Sequence, residues 1–307
     1  MVGKQKITGD DFLRMFDCHL DELPEQFLSG LKRVDTEYRE ANLVEFEEYV
    51  LNVLKRINSP NIIRTKEENL EAFEKGWGEN LESIISGKIS LESLKPKYFR
   101  GSKFLRYNNT LIVTDNLDLE YDLYTLARYL LFTKYLSSSE DIYEFGCGSC
   151  QNLLMLSEMF PSKKVYWTNA SARIAELLSK FQNGNIEGIV FDMMNPSSDI
   201  ALKPHSAVFT IHALEQLGKE HEKLLSFIMA AKPDIVVHYE PIVEFYDQDN
   251  LLDYLAILYS QKRNYLSGFW TALCKLQEQN RIEILTSKRP YLGGVIHEAS
   301  LIAWRPL

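Results

Sequence analysis

Cysteines, clustered basic residues and long apolar runs are all scarce in this 307-residue sequence, and each scarcity removes a class of protein. The four cysteines, Cys18, Cys147, Cys150 and Cys274, are too few and too scattered for a disulfide framework, which favours a reducing compartment. Residues 1–6 lead into polar sequence rather than the apolar core of a secretory signal, and no segment has the unbroken apolar length that crosses a bilayer. A cytoplasmic protein without a membrane partner is therefore expected. With 34 Lys+Arg against 43 Asp+Glu, the formal net charge is -9. The basic groups occur only in isolated pairs such as Lys262-Arg263 and Lys288-Arg289, which works against a nucleic-acid partner. Repeats and low-complexity tracts are also missing.

What remains is the composition of an ordinary globular chain, 45% hydrophobic and 25% charged, long enough for one large or two modest domains. Residues 1–97 are charged and helix-patterned, with Phe12, Leu13, Phe16 and Leu20, and later Phe46, Tyr49, Val50, Val53 and Leu54, at helical spacing. They are expected to form a helical amino-terminal region. Residues 98–136 read as a connector with a hairpin around Asn108-Asn109 and an aromatic-rich helix, forming part of a substrate or cofactor pocket. From residue 137 to 307, short apolar runs alternate with amphipathic stretches, including one long helical stretch over 250–279. That alternation gives an α/β fold: a Rossmann-like, mostly parallel sheet with helices on both faces, binding ligands at the carboxyl ends of its strands.

The most informative junction is Asp141-Ile142-Tyr143-Glu144-Phe145-Gly146-Cys147-Gly148-Ser149-Cys150, an apolar run that ends at an acid and breaks into glycines before a helical pattern. Glycines there permit positive φ and close approach to a ligand, and the helix that follows opens with free N–H groups and a positive dipole end. A nucleotide-like cofactor is the first expectation from this turn. Cys147 and Cys150 have Cys-x-x-Cys spacing, but no second ligand pair follows, and their place inside the turn favours two small, tightly packed residues over redox or zinc chemistry.

Over residues 121–307 the sequence resembles the class I S-adenosylmethionine-dependent methyltransferases. Glu144, Gly146, Cys147 and Gly148 resemble that family's first motif, which cradles the methionine part of the cofactor. Asn169, with Ser171 close by, stands where an acid usually holds the ribose hydroxyls, and Cys150 stands where the third glycine would be. Asp192 and Met193 resemble the pair that reads the adenine edge. Residues 210–216 resemble the fourth-strand end beside the transferred methyl group, which implicates Thr210. Tyr124, in the preceding helix, is expected to line the cofactor pocket. The resemblance implies S-adenosyl-L-methionine as cofactor and methyl transfer as the reaction.

Methyl transfer from a sulfonium mainly requires alignment, and a hydroxyl acceptor also requires a base. His212 and Glu215, after the expected fourth strand, and His238 and Glu240, closing the fifth, are the candidates, with His238 or His212 as base and Glu240 orienting the substrate. No metal is expected. The favoured reaction is methylation of an oxygen of a small polar metabolite or sugar-like acceptor, and self-association is compatible with the sequence. N-methylation, a noncatalytic methyltransferase-fold scaffold and a nucleotide-dependent oxidoreductase are the alternatives.

Overall fold

The computed structural model describes residues 3–62, 75, 79, 80, 82, 85, 86, 89–168, 179, 184–189, 191–197 and 199–307. In chain order its elements begin with β1 (Gln5–Lys6), α1 (Gly9–Phe16), α2 (Glu25–Arg33), β2 (Glu37–Glu40) and α3 (Leu43–Ile57). The hairpin β3 (Phe104–Tyr107) and β4 (Thr110–Val113) leads to α4 (Leu119–Leu131), β5 (Asp141–Phe145), α5 (Gln151–Met159), β6 (Lys164–Thr168) and β7 (Ile186–Ile189). Then follow β8 (Ser206–Ile211), α6 (Glu222–Ala231), β9 (Ile235–Glu240), α7 (Leu251–Arg263), α8 (Phe269–Glu278), β10 (Ile282–Lys288), β11 (Leu292–Gly293) and β12 (Ser300–Pro306).

Among the described residues, seven strands form the main sheet in the order β10-β12-β9-β8-β5-β6-β7. All neighbours in it are parallel except β12, which inserts antiparallel between β9 and β10. The sheet is thus Rossmann-like, and its direction of winding reverses between β5 and β8. Period-2 alternation sends Ile142, Ala207, Phe209, Val237 and Tyr239 into a core on one face. Tyr143, Phe145, Val208, Val236 and Trp304 enter the core on the other, under α6 and α8. Helix α4 lies against the first face and is apolar almost all round, with ten of its residues buried, as expected of a helix covered on both sides.

The amino-terminal region is not purely helical. Its β1 and β2 join the hairpin and β11 in a second sheet, ordered β1-β2-β4-β3-β11 and antiparallel throughout. The hairpin turns at Asn108 and Asn109, both at positive φ, 48° and 63°, which asparagine tolerates better than most residues. Phe12, Phe16 and Phe27 share the core of Leu126 and Tyr239, so this region packs continuously with the main sheet. The expected single helix over 250–279 is two: α7 ends at Asn264 in the left-handed conformation (φ 51°), and α8 starts after Gly268 (φ 77°). No helix among the described residues is long and apolar enough to cross a membrane.

Candidate functional site

In open α/β sheets the reversal of winding, here between β5 and β8, marks the ligand crevice at the carboxyl ends of the strands, and two groups of side chains meet there. The first is the glycine turn. Gly146 has φ 81°, and a Cβ added to it would stand 2.5 Å from the Ala213 Cβ and 3.3 Å from the Met193 Cε. The turn therefore rests directly on the chain leaving β8 and on the segment after β7. Gly148 is also at positive φ (53°), and Cys150, where a third glycine would stand, keeps the left-handed conformation at φ 63° while fully buried. Cys147 Sγ lies 3.5 Å from Cys150 Sγ, and burial holds the Cys147 thiol well above its usual pKa.

Behind the turn runs a buried polar chain. Glu144, 1% exposed, accepts a 2.6 Å hydrogen bond from Asn152 Nδ2, and burial pushes its pKa up to about 7. Arg128 donates through Nη1 to Asn152 Oδ1 and Gln151 Oε1, each at 2.8 Å, through Nη2 to Thr125 Oγ1 and through Nε to the Tyr124 carbonyl. The first turn of α5 is thus tied to α4.

The second group follows β8. His212 takes φ 51°, and its ring meets Tyr124 edge-on at 5.1 Å. Glu215 lies one turn further on, and its Oε2 is 3.7 Å from Nε2 of His297, which arrives from the loop before β12. That loop is tight: Gly293 pairs with Glu298, the Gly294 N–H bonds the His297 carbonyl at 3.0 Å, and a Cβ at Gly293 would stand 2.5 Å from Glu298. Burial pushes His212 down to about 3 and His297 to about 4, so both imidazoles are neutral. Burial and the nearby Glu240 push Glu215 up to about 8.

The other predicted residues separate into those that reach this crevice and those that do not. Tyr124 forms its wall. Met193 touches the glycine turn, while Asp192 is exposed and caps its own turn by accepting the Met194 N–H at 2.8 Å. His238 does not reach the crevice. It is fully buried in the opposite core, with Nδ1 on Thr210 Oγ1 at 2.9 Å and its ring against Phe269 at 5.0 Å. Thr210 is held there with it. Glu240 is fully buried too, and its Oε1 accepts the Ala213 N–H at 2.9 Å, so it fixes the chain beneath His212 rather than facing a substrate. Asn169 and Ser171 lie outside the described residues. A groove between α6 and α8, lined by Lys219, His221, Ser267 and Thr271, lies beyond the opposite core and gathers none of these groups.

No family model matches the sequence, and no curated protein does. Solved structures resemble the chain in part. One is the apo form of the S-adenosylmethionine-dependent methyltransferase SibL, with 16% identity and a TM-score of 0.47, matched over 89% of this chain and 80% of that one. Another is NcsB1, an O-methyltransferase from neocarzinostatin biosynthesis solved with S-adenosylmethionine, with 14% identity and a TM-score of 0.40 over 83% of this chain and 74% of that one. An O-methyltransferase family 2 protein from Planctomyces limnophilus DSM 3776, in complex with apigenin, has 10% identity and a TM-score of 0.40. The match to it covers 58% of this chain and about half, 53%, of that one. Function has to be read from the side chains.

Two residues at the crevice escape a reading of the sequence. Arg128 sits in an aromatic helix with nothing to mark it. His297 is signalled only by the Gly293-Gly294 pair before it. Tyr239, rather than His238, is the β9 side chain on the crevice face, and strand alternation predicts as much: its ring lies 5.7 Å from Tyr124 and 6.3 Å from His212.

Proposed function

We propose that this protein transfers a methyl group from S-adenosylmethionine to an oxygen of a small polar metabolite or sugar-like acceptor. The observation that carries the reading is the contact of Gly146 with Ala213, which sets the glycine turn against the polar group that begins at His212. A cofactor on the turn and an acceptor on that group would be neighbours.

The residues present fit such a cofactor. Gly146 and Gly148, both at positive φ on either side of Cys147, leave backbone without side-chain bulk just before α5, where helix N–H groups attract electron-rich atoms. Glu144 and Tyr124 form the walls nearest that turn, with Asp192 and Met193 on the adenine side; Asn169 and Ser171 complete the proposed set. When bound, the cofactor supplies an electrophilic methyl group on sulfur. The chain's own part is alignment and proton handling. The Nε2 of His212, without a hydrogen-bond partner, makes this residue the base candidate that the geometry favours: held neutral, it can accept the hydrogen of an acceptor hydroxyl, while burial lowers its basicity. Glu240 acts at one remove, by holding the backbone of Ala213.

Calorimetric titration with S-adenosylhomocysteine, with NAD in parallel, tests the cofactor half of this reading. Saturable binding of the former alone is expected, and its loss in Gly146→Ala. NAD binding alone, or no binding of S-adenosylhomocysteine, would overturn it. Transfer of labelled methyl groups to a panel of hydroxylated metabolites, sugars and amines then tests the acceptor half, with the amines expected to be the poorer acceptors.

A further inference from the structure

His212, Glu215 and His297 have more in common than a place in the crevice. One potential ligand atom from each lies within 4.8 Å of the others. Each residue also carries a buried polar atom without a hydrogen-bond partner: His212 Nε2, Glu215 Oε2 and His297 Nδ1. Buried polar groups are nearly always satisfied, so three unsatisfied ones on touching side chains call for an explanation beyond packing. No lysine or arginine among the described residues forms a salt bridge with Glu215, and its contact with His297 at 3.7 Å joins two groups that burial holds neutral.

From these observations we infer that His212, Glu215 and His297 bind a divalent transition-metal ion. Two imidazoles and one carboxylate are the donor set of open zinc sites and of the facial triads that hold iron, with remaining positions free for water or substrate. Ligand atoms about 2.0–2.2 Å from an ion stand roughly 3.0–3.6 Å apart. Side-chain rotation closes the remaining distance, and the backbone is already committed. His212 is fixed by its N–H to the Tyr239 carbonyl at 3.2 Å, and His297 by the Gly293–Glu298 turn. Gln216 Nε2 donates to Glu215 Oε1 at 2.9 Å, leaving Oε2 as the coordinating oxygen. Supporting hydrogen bonds of this kind orient metal ligands.

The consequence for chemistry rests on the methyltransferase reading; the binding of metal does not. An acceptor hydroxyl coordinated at an open position becomes more acidic. Its O–H bond breaks and the proton leaves to water. The oxygen's electron pair forms the new bond to carbon, and the carbon–sulfur pair returns to sulfur. The ion takes over work that a lone His212 would do as base.

The test uses the full chain, stripped with chelator and titrated calorimetrically with Zn2+, Mn2+ and Co2+ separately, with the visible absorption of bound Co2+ as a second readout. Saturable binding of one equivalent is expected, weakened by at least about tenfold in His297→Gln and in Glu215→Gln. Both variants should keep the wild-type melting temperature of the metal-free protein and its affinity for S-adenosylhomocysteine. Should His297→Gln fail to fold, Glu215→Gln alone decides. Absence of binding for all three ions, or binding unchanged in the variants, overturns the site. Metal binding without S-adenosylhomocysteine binding would leave the site standing and remove the methyltransferase reading; the reverse result would do the opposite.

Discussion

Arg128 and Asn152 are joined by a 2.8 Å hydrogen bond, and Asn152 passes the interaction on to Glu144 at the root of the glycine turn. Arg128 is buried, and its guanidinium meets four hydrogen-bond acceptors on Tyr124, Thr125, Gln151 and Asn152, none of them charged. It is a positioning residue. Arg128→Met strips partners from Gln151 and Asn152 and should cost on the order of 3 kcal/mol in urea unfolding. Arg128→Lys keeps the charge but not the fork, and should recover only part of that loss. S-adenosylhomocysteine affinity should fall in both variants, because the first turn of α5 loses its anchor.

Gly146 offers the sharpest steric test. An alanine there needs φ near 81° and places its methyl 2.5 Å from that of Ala213. Gly146→Ala should lower stability by on the order of 2–3 kcal/mol. Ala213→Gly relieves the overlap but not the backbone conformation, so the double variant should recover part of the loss when melting curves are compared.

The carboxyl of Glu144 makes a pH prediction with a definite sign. Burial raises its folded pKa to about 7, above the unfolded carboxylate range. A group raised in this way contributes stability that is complete below its unfolded pKa of about 4.3 and lost as pH rises through the folded value. Glu144→Gln removes that dependence. Between about pH 4.5 and 7 the wild type should therefore lose on the order of 2 kcal/mol relative to the variant. The comparison cancels the buried histidines, whose folded pKa values are depressed and act in the opposite direction. Parallel unfolding curves across that window would refute the assignment.

A second buried network ties the two sheets together. Arg106 on β3 is fully buried against Asp253 of α7 and Glu298, and Arg289 bonds Glu298 Oε2 at 2.8 Å and Asp253 Oδ2 at 2.6 Å. Asp253→Asn leaves two guanidiniums under-neutralised and should cost on the order of 3–5 kcal/mol. Replacing Arg106 and Asp253 together with apolar residues should cost less than the two single changes summed, a non-additivity that a double-mutant cycle measures.

How much of this was legible in the sequence follows from what kind of interaction defines each part. The main sheet was readable because parallel strands buried on both faces give short apolar runs, and the run 141–145 is buried at every residue. The glycine turn was readable because positive φ demands particular residues. The smaller sheet was readable only in its β3–β4 hairpin, since β1 and β11 are two residues long and carry no periodicity. The break between α7 and α8 falls at Asn264 and Gly268, ordinary terminators that the aromatic pattern around them obscured. His238 was misplaced by treating the end of β9 as one cluster, although residues two apart share a face and neighbours do not. His297 was illegible for another reason: only tertiary closure brings its loop to Glu215.

That closure gives the Gly293–Glu298 turn a role in quality control. Neighbouring residues of one peptide serve different ends, His297 facing Glu215 and Glu298 joining the charge network with Arg106. A molecule whose smaller sheet has not docked leaves Glu298 without Arg106 and releases the turn that carries His297. Assembly of the crevice is thus conditional on completion of the fold, and half-folded chains should be silent in any assay that reads this group of residues.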